Sequence, residues 1–385
     1  TQRPIESFDK MLEGLVAGVQ VETTTELNTP VKINIRGQGS LPNFGVARTT
    51  SSQPLFVVDG IPMYEQQRGN ESSVFNNERY LNPLSNINPD DIKTITILKD
   101  ATASALYGAN AANGVILLTT KSGTSGSTRF NFNYDTGVAS FINQYKWLSG
   151  PQYYSLLHEA YINDGRSVTE ATQLAGSKTN DVDWFELTNR NAIYHNFGFQ
   201  ADGGSEKTTF LFSSGYRSQQ ASSYGNDLQK IYLRLRADHK VSDKFKIGFS
   251  TNATFTQQNS LSNYGGVTLP PNITPYNADG TFADILGVPN PLAVLEQNED
   301  YSKGIDIQAI GNASYQLTKE ISIDGRLGAN SYQTKQTTFE SALNASGRTV
   351  NGRPRISDRN RLGFIGSIKA SYDKTFAKKH KVGFL

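Results

Sequence analysis

The sequence lacks the residues on which several classes of protein depend. It has no cysteine in 385 residues, and only two tryptophans, two methionines and four histidines. The absence of cysteine excludes disulfide bonds, thiolate metal sites and a cysteine nucleophile. No apolar run approaches the ~20 residues of a membrane-spanning helix. No signal peptide precedes Thr1, so we expect the leader of an exported protein to lie upstream of this chain.

Charge is also scarce, and it is balanced. Charged residues make up 19% of the sequence, and 37 basic against 35 acidic side chains give a net charge of +2. A chain so close to neutrality has no bulk field that would attract nucleic acid or an anionic membrane surface. Aromatic residues, in contrast, reach 10%, although hydrophobic residues are only 37%. This combination is more typical of sheets than of helical cores, which favours an all-β interpretation.

In the first region, residues 1–123, short apolar strands are separated by turn residues. Strands are predicted at 18–21, 32–36, 55–58, 92–98 and 115–119. The pair Asp59-Gly60, directly after the apolar run LFVV, predicts a hairpin or a sharp reversal. Asp100 is predicted to cap a helix over residues 101–107 that ends at Gly108. The region therefore predicts a small mixed α/β unit.

Two features of this region have a chemical alternative. The small residues of loop 110–114 could cradle a phosphate, but no Gly-Lys-Ser/Thr follows and no glycine-rich fingerprint opens a helix, which favours a compact turn. Asp90-Asp91 could bind a metal ion, but a preceding Pro89 is typical of an exposed turn. Both features are therefore interpreted as turns.

The second region alternates with a strict period of two. Residues 124–128 have the composition of a flexible linker. From residue 129, apolar and polar side chains take opposite faces of a strand, and the pattern recurs for about eight strands, with a ninth near Lys381. The first strand has Phe130 and Phe132 on one face, and Arg129 and Asn131 on the other. We therefore predict three segments: the α/β unit 1–123, the linker 124–128, and the β region 129–385.

The lengths of the connections indicate which kind of sheet this is. Short turns alternate with long connections, predicted at 143–191, 258–303 and 334–359. Outer-membrane barrels have this arrangement, with tight periplasmic turns and large external loops. The first strand would then start on the periplasmic side, and a folded unit attached there can sit inside the lumen. Polar faces carrying Arg234, Arg326 and Lys369 would line a wet interior or contact that unit.

Four segments of the first region carry a resemblance: FDKMLEGLVAGVQV, INIRGQGSL, PLFVVDGIPM and the highly specific NPLSNINPDDIKTITILKDATASALYGANAANGVILLTTKSG. Through them the region closely resembles the plug domain of SusC/RagA-type TonB-dependent outer-membrane transporters. The plug signature falls on Arg36, Gly37, Asp59, Gly60, Lys99, Asp100, Tyr107, Gly108, Asn113 and Gly114. The chain departs from the family at Asn110-Ala111, where Arg-Gly is common, and at 22–29, where a Gly/Ser-rich stretch is common.

The resemblance implies a mixed α/β plug domain followed by an antiparallel transmembrane β-barrel, which in a complete member has roughly 22 strands. This chain would be an N-terminal portion, with the TonB box expected upstream. The implied function is active import of a large glycan or peptide across the outer membrane of a Gram-negative bacterium of the Bacteroidota. The implied partners are a SusD-like surface lipoprotein, TonB of the inner-membrane energising complex, the glycan or peptide ligand, and outer-membrane lipid. No cofactor is implied.

Aromatic side chains supply the candidate ligand contacts, because rigid rings on a wet surface suit sugars and peptides. The candidates are Tyr64, Phe75 and Tyr80 in the first region, and Trp147, Tyr153, Tyr154 and Trp184 in the first long connection. For each of them, packing is the alternative with the greater weight. Residues 156–162 of that connection predict a short helix.

Two other classes of function were weighed. A non-transporting surface protein, such as an adhesin or a secretion accessory, could use the same scaffold with a plug that never moves. Catalysis is disfavoured because His158-Glu159 lacks the second histidine of a zinc helix and no serine lies in a nucleophile elbow. Asn180, Asp181 and Asp183 could bind calcium, but a solvated loop is favoured. The sequence therefore predicts neither an enzyme nor a metal site.

Overall fold

The computed structural model describes residues 12, 14, 18–22, 27–28, 31–35, 54–63, 86–99, 107–108, 111–140, 142–143, 146–261, 269–285, 287–376 and 380–384. These residues form a two-stranded, a four-stranded and a nine-stranded sheet. Within the same ranges, no helix has the length and apolar character needed to cross a membrane.

The two small sheets pack together into one unit, which we call the inner unit (the described residues up to 123). Its strands are β1 (Val19–Glu22), β2 (Lys32–Ile35), β3 (Leu55–Val58), β4 (Ile61–Met63), β5 (Ile92–Leu98) and β6 (Val115–Thr120). The four-stranded sheet has the order β4-β3-β6-β5, in which only the β3–β6 pair is parallel. Each predicted strand of the first region is present, to within one residue at either end.

Strand β3 is apolar throughout because both of its faces are covered. Phe56 and Val58 pack with Ile33 of β2 in one core cluster. Leu55 and Val57 belong to a second cluster on the opposite face, against which Tyr107 packs. The alternation of Cβ directions along the strand thus places one core on each side of the four-stranded sheet.

The predicted reversal after LFVV is a two-residue hairpin between β3 and β4. Val58 pairs with Ile61, and the two residues between them have φ of 48° at Asp59 and 82° at Gly60. A hairpin of this length needs positive φ at both positions, which aspartate tolerates and glycine accepts without strain. The turn directs the Asp59 carboxylate back towards β6.

The nine-stranded sheet, which we call the wall, contains every later strand. Its strands are β7 (Gly126–Ala139), β8 (Ala192–Gly204), β9 (Thr208–Gln220), β10 (Asn226–Lys240), β11 (Phe245–Ser260), β12 (Glu299–Gln316), β13 (Ile321–Glu340), β14 (Arg353–Phe376) and β15 (His380–Phe384). Each strand pairs antiparallel with the next along the chain. In the described parts of the connections lie the α-helices α1 (Gly150–Asn163), α2 (Val168–Ala175), α3 (Trp184–Thr188) and α4 (Pro291–Gln297).

The strands run further than the period-two pattern predicts. The connections between them are 140–191, 261–298 and 341–352, and β14 alone has 24 residues. A strand needs only about 9–11 residues to cross a bilayer. In the segment Lys335–Thr338 of β13, both faces carry polar side chains, so the pattern stops while the hydrogen-bonded ladder continues to Glu340. Similarly, the short helix predicted at 156–162 is the second half of α1.

The two faces of the wall differ in the way that a membrane protein requires. On β10, Ile231, Leu233 and Leu235 are exposed on one face. On the other face, Lys230 and Arg234 are only 1% and 3% exposed, because the inner unit covers them. A soluble sheet would bury the apolar face, whereas a transmembrane barrel turns that face to lipid and encloses the polar one.

Candidate functional site

A buried arginine of the wall contacts the inner unit at the end of β6. The Arg234 Nη2 donates to the Thr120 hydroxyl and, over 3.1 Å, to the backbone oxygen of Lys121, and it lies 3.8 Å from Asp59 Oδ2. Asp59 in turn accepts from the Thr120 hydroxyl and, over 2.9 Å, from the Thr120 backbone N–H. The β3–β4 turn and the end of β6 are thereby joined to the middle of β10.

A second carboxylate of the inner unit faces the same guanidinium. Asp91, in the short 3-10 helix Pro89–Asp91, is 4% exposed and is hydrogen-bonded to Ser213 of β9. Burial raises the pKa of Asp91, and the hydrogen bond to Ser213 and the nearby charge of Arg234 offset this only in part. Ionisation of Asp91 therefore costs more free energy in the folded protein than in the unfolded chain.

A buried lysine makes the second contact, four residues before Arg234 on the same face of β10. The Lys230 Nζ donates to Asn28 Oδ1 over 2.7 Å, and Asn28 Nδ2 donates to Gln258 Oε1 over 3.1 Å. Gln258 of β11 also donates to the backbone oxygen of Leu27 over 3.0 Å. Asn28 has a φ of 58°, a left-handed conformation that asparagine adopts more readily than most residues. The segment between β1 and β2 is thus fixed to two wall strands.

Further polar contacts surround these two. Thr254 of β11 donates to the backbone oxygen of Asn86 over 2.7 Å, and Asn133 of β7 donates to Asp90 over 2.9 Å. The backbone also approaches the wall closely, because a Cβ on Gly123 would overlap the backbone of Phe210. The inner unit therefore contacts β7, β9, β10 and β11 through hydrogen bonds and charges.

The plug signature residues are divided between this interface and the inner core. Asp59 contacts the wall, while Tyr107 packs in the second core cluster. Gly108 and Gly114 have φ of 66° and 91°, and a Cβ on Gly114 would lie 2.9 Å from Ile35. The remaining members have these positions: Gly60 in the hairpin, Lys99 after β5, Asn113 before β6, and Arg36, Gly37 and Asp100 outside the described residues.

Sequence reasoning placed Arg234 on the lumen side of the wall, but it did not select Asn28, Thr120 or Lys230. It interpreted Asp90-Asp91 as an exposed turn, whereas Asp91 lies in a 3-10 helix and is buried. One signal could have found the two cations: a lysine or arginine on the polar face of a strand whose other face is apolar must either meet water or meet a polar partner. No comparable signal exists for Asn28 or Thr120, because polar residues are common throughout the chain.

The candidate ligand contacts are also divided. Trp147, Tyr153 and Trp184 line one cavity of about 640 Å³ between connections 140–191 and 261–298. Trp184 is 3% exposed and donates from Nε1 to the backbone oxygen of Pro270 over 3.0 Å, so it packs. Tyr154 instead stacks on His158, with ring centroids 5.8 Å apart. Tyr64, Phe75 and Tyr80 lie outside the described residues.

The acidic residues considered for metal binding make other contacts. Asp181 accepts from the backbone N–H of Gly150 over 2.8 Å, and Asp183 caps α3 by accepting from Glu186 over 2.9 Å. Across the part of the chain that the structure describes, no three acidic or histidine side chains come close enough together to hold a metal ion.

The chain is similar to known proteins in sequence and in structure. The family model "TonB-dependent Receptor Plug Domain" matches residues 1–115. TonB-dependent receptor P26 of Formosa agariphila is 31% identical over 371 residues, which cover 90% of this chain and 35% of the relative. TonB-dependent receptor SusC of Bacteroides thetaiotaomicron is 28% identical over 382 residues, which cover 86% of this chain and 34% of SusC. The chain thus spans about a third of the length of the curated relatives it matches.

A solved structure of the RagAB peptide transporter has the same fold. It superposes with a TM-score of 0.83 at 21% identity, over 99% of this chain and 45% of the transporter chain. Together with the plug-domain match, this likeness confirms the predicted fold class, which is a plug domain followed by a large antiparallel barrel sheet. This chain holds a part of that sheet. The relatives are named as receptors, and none as an enzyme. The sequence comparisons thus support a SusC-like TonB-dependent receptor, part of whose length this chain spans.

Proposed function

We propose that this chain is part of an importer that carries a large nutrient, a glycan or a peptide, across the outer membrane of a Gram-negative bacterium. Residues 1–123 would be the plug, 124–128 the linker, and 129–385 the first part of the barrel. An energised inner-membrane complex, acting through TonB, would displace the plug. A SusD-like surface lipoprotein would cooperate with the receptor on the outer side, as the kinship with SusC suggests.

One observation carries the proposal: the inner unit lies against the polar face of the wall, and buried cations of β10 hold it there. Lys230 and Arg234 each contact a separate part of the inner unit. A charge in a dry core costs several kcal/mol unless it is paired. Lys230 and Arg234 therefore have polar partners while the inner unit fills the lumen, and water would take the place of those partners if the unit moved.

The chemistry of this interface suits a plug that is displaced and returns. Hydrogen bonds and ion pairs between inner unit and wall can be exchanged for hydrogen bonds to water at a small net cost, of about 0.5–1.5 kcal/mol for each neutral hydrogen bond. Burial of a large apolar surface would be harder to reverse, because exposure costs about 25 cal/mol for each Å². The two apolar clusters of the inner unit are formed by its own residues, so displacement from the wall would not by itself expose them.

A reversible cross-link tests whether the inner unit must move. A Cβ built on Gly328 of β13 would lie 3.4 Å from Ile61 Cγ1 of the β3–β4 hairpin, within reach of a disulfide. Because the chain has no cysteine of its own, the double variant Ile61→Cys, Gly328→Cys introduces a defined pair. We expect oxidised cells to lose energy-dependent uptake of the nutrient and reduced cells to recover it, while each single variant transports under both conditions.

The same cross-link separates the proposal from a non-transporting surface protein. Uptake that continues at the normal rate with the disulfide fully formed, as measured by gel shift, would refute displacement of the plug. A surface protein with a fixed plug would show no energy-dependent uptake in either redox state.

A further inference from the structure

We infer that the passage for cargo opens between β4 of the inner unit and strands β12–β14 of the wall, while the contacts of the inner unit with β9 and β10 stay closed. The inference rests on the proposed import function and says where in the lumen the displacement takes place. It starts from a cavity of about 170 Å³ that separates β4 from these three strands. A polar cavity of this size has room for several water molecules, since each needs about 10–15 Å³.

The wall side of this cavity is polar. Its side chains include Asp306 and Gln308 of β12, Asn330 of β13 and Arg361 of β14. These groups donate and accept hydrogen bonds and carry both signs of charge. Asp306 also forms a hydrogen bond with Asn86 of the inner unit, a bond that must be exchanged for one to water on opening. Water, and then the polar groups of a cargo molecule, can therefore line this side of the lumen.

Strand β4 is the shortest strand of the four-stranded sheet and lies at its edge. It has three residues and pairs with β3 alone. Its middle residue, Pro62, has no backbone N–H to donate, and proline within sheets is confined mainly to edge strands. The hairpin can therefore move away from the wall while β3 remains paired with β6.

The described contacts of this hairpin with β13 are packing contacts. A Cβ built on Gly328 would lie 3.1 Å from Ile61 Cδ1, so glycine at this position lets the Ile61 side chain approach the backbone of β13. Arg326 lies against Gly60 and is itself exposed, so its charge has access to water. Separation of the hairpin from β13 therefore removes dispersion contacts without leaving a buried charge unpaired.

The contacts with β9 and β10 are of the opposite kind. Lys230 and Arg234 are 1% and 3% exposed and contact the inner unit with their charged groups. Asp91 of the inner unit is also buried and is hydrogen-bonded to Ser213 of β9. Separation on this side would leave buried charges without partners until water entered, which is the more costly step. A pull on the inner unit should therefore open the side at β4 first.

Labelling of single cysteines in living cells tests this inference, since the chain has no cysteine of its own. Gln308→Cys places a thiol at the cavity, and Ser213→Cys places one at the contact with β9. The native side chains are 6% and 4% exposed, so both thiols should react slowly at rest. The probe is MTSET, a small cationic thiol reagent, added to cells that express the full receptor in yeast extract, with and without an uncoupler.

We expect respiration to accelerate the labelling of Gln308→Cys at least about tenfold, as for local opening of a covered position, and to change that of Ser213→Cys by less than about twofold. Slow labelling in uncoupled cells shows that each thiol is covered in the folded receptor. Ser213→Cys is the matched control, because both positions are buried on the lumen side of the wall.

A tether separates opening along β4 from movement of the whole inner unit. A Cβ built on Gly215 of β9 would lie 2.9 Å from the side-chain nitrogen of Asn88, within reach of a disulfide. Asn88→Cys and Gly215→Cys are therefore combined with Gln308→Cys, and closure of the disulfide is measured by gel shift. With the disulfide closed, the thiol at position 308 should still label faster in respiring cells.

Three outcomes would overturn the inference and leave the import proposal intact. They are equal acceleration of Gln308→Cys and Ser213→Cys, acceleration of Ser213→Cys alone, and loss of acceleration at position 308 when the tether closes. The first and the third would mean that the inner unit moves as a whole. Acceleration at neither position would contradict both the inference and the displacement of the plug on which it rests.

Discussion

The guanidinium of Arg234 lies 3.8 Å from the carboxylate of Asp59, although one residue is in the middle of a wall strand and the other is in the hairpin turn of the inner unit. The Thr120 hydroxyl lies between them and is hydrogen-bonded to both. The side chains of Arg234 and Asp59 are 2% and 12% exposed, so solvent screens their interaction only weakly. This three-residue contact joins β10 to the inner unit at the end of the parallel strand pair β3 and β6.

Replacement of Arg234 by methionine tests the strength of that contact. Asp59 would lose its cationic partner and Asp91 one of two nearby cations, and loss of one member of a buried pair costs on the order of 3 kcal/mol. We expect Arg234→Met to increase hydrogen exchange in β6. If the inner unit is the plug of the proposed importer, cells with this variant should also become more sensitive to vancomycin, a large antibiotic.

The control for this variant is Arg236→Met, two residues further along β10. Arg236 pairs with Asp238 of its own strand over 2.8 Å and is partly exposed. Arg236→Met should leave hydrogen exchange in β6 and sensitivity to vancomycin unchanged. Equal exchange in β6 for the two variants would show that Arg234 does not hold the inner unit.

Asn28 allows a second test, because its backbone and its side chain can be separated. Asn28→Gly keeps the left-handed conformation at φ 58° but removes the amide that contacts Lys230 and Gln258. We expect the β1–β2 pair to exchange its amide hydrogens about 5- to 150-fold faster, corresponding to roughly 1–3 kcal/mol for buried groups that lose a partner.

Asn351 provides a matched position for comparison. It also has a left-handed φ, of 54°, but it is exposed in connection 341–352. Asn351→Gly should leave exchange in the β1–β2 hairpin at its normal rate. If Asn28→Gly behaves in the same way, the amide contacts do not contribute to holding the hairpin.

Local sequence signals predicted the elements well where they act over a few residues. The Asp59-Gly60 pair required a tight turn, and the alternation of Phe130 and Arg129 required a strand with two unlike faces. The ends of the long strands were less predictable. At residues such as Lys335 and Thr338, both faces are polar, and a hydrogen-bonded ladder continues there without any period that a sequence pattern could reveal.

The interface could not be predicted because its partners are far apart in the chain. Lys230 and Asn28 are separated by 202 positions, and neither has a local pattern that names the other. Trp184 illustrates the same limit on the loop side. The local sequence around Trp184 is the same whether its ring faces a ligand or packs against Leu269 and Ile285, and here the ring packs.

The buried carboxylate of Asp91 predicts a specific dependence of stability on pH. Because burial raises its folded-state pKa above the reference value of 3.8, the folded protein retains a proton in a window of pH where the unfolded chain has lost it. The contribution of Asp91 to the free energy of unfolding therefore falls as pH rises through that window. At neutral pH the buried, ionised carboxylate still lowers that free energy. Asp91→Asn should unfold at a higher guanidinium concentration than the wild type at pH 7.

The advantage of Asp91→Asn should shrink as pH is lowered and disappear below about 3.8, where the carboxyl group is protonated in both states. Asp90→Asn is the control, since Asp90 is exposed, and it should bring no gain at neutral pH. A loss of stability in Asp91→Asn at pH 7 would mean that its attraction to Arg234 and Lys121 outweighs the cost of burial.

Gly60 and Gly280 form a natural pair for separating backbone strain from a tertiary contact. Their φ angles are 82° and 81°, so a change to alanine imposes a similar left-handed penalty at each, of about 1–2 kcal/mol. They differ in surroundings: a Cβ on Gly60 would overlap the guanidinium of Arg326 in β13, whereas nothing lies within 4 Å of a Cβ on Gly280. Gly60→Ala must therefore displace Arg326 as well.

We expect both variants to lower the thermal unfolding midpoint, but only Gly60→Ala to speed hydrogen exchange in β13 and β4. Identical exchange in the two variants would show that displacement of Arg326 by a side chain at position 60 does not disturb β13 or β4.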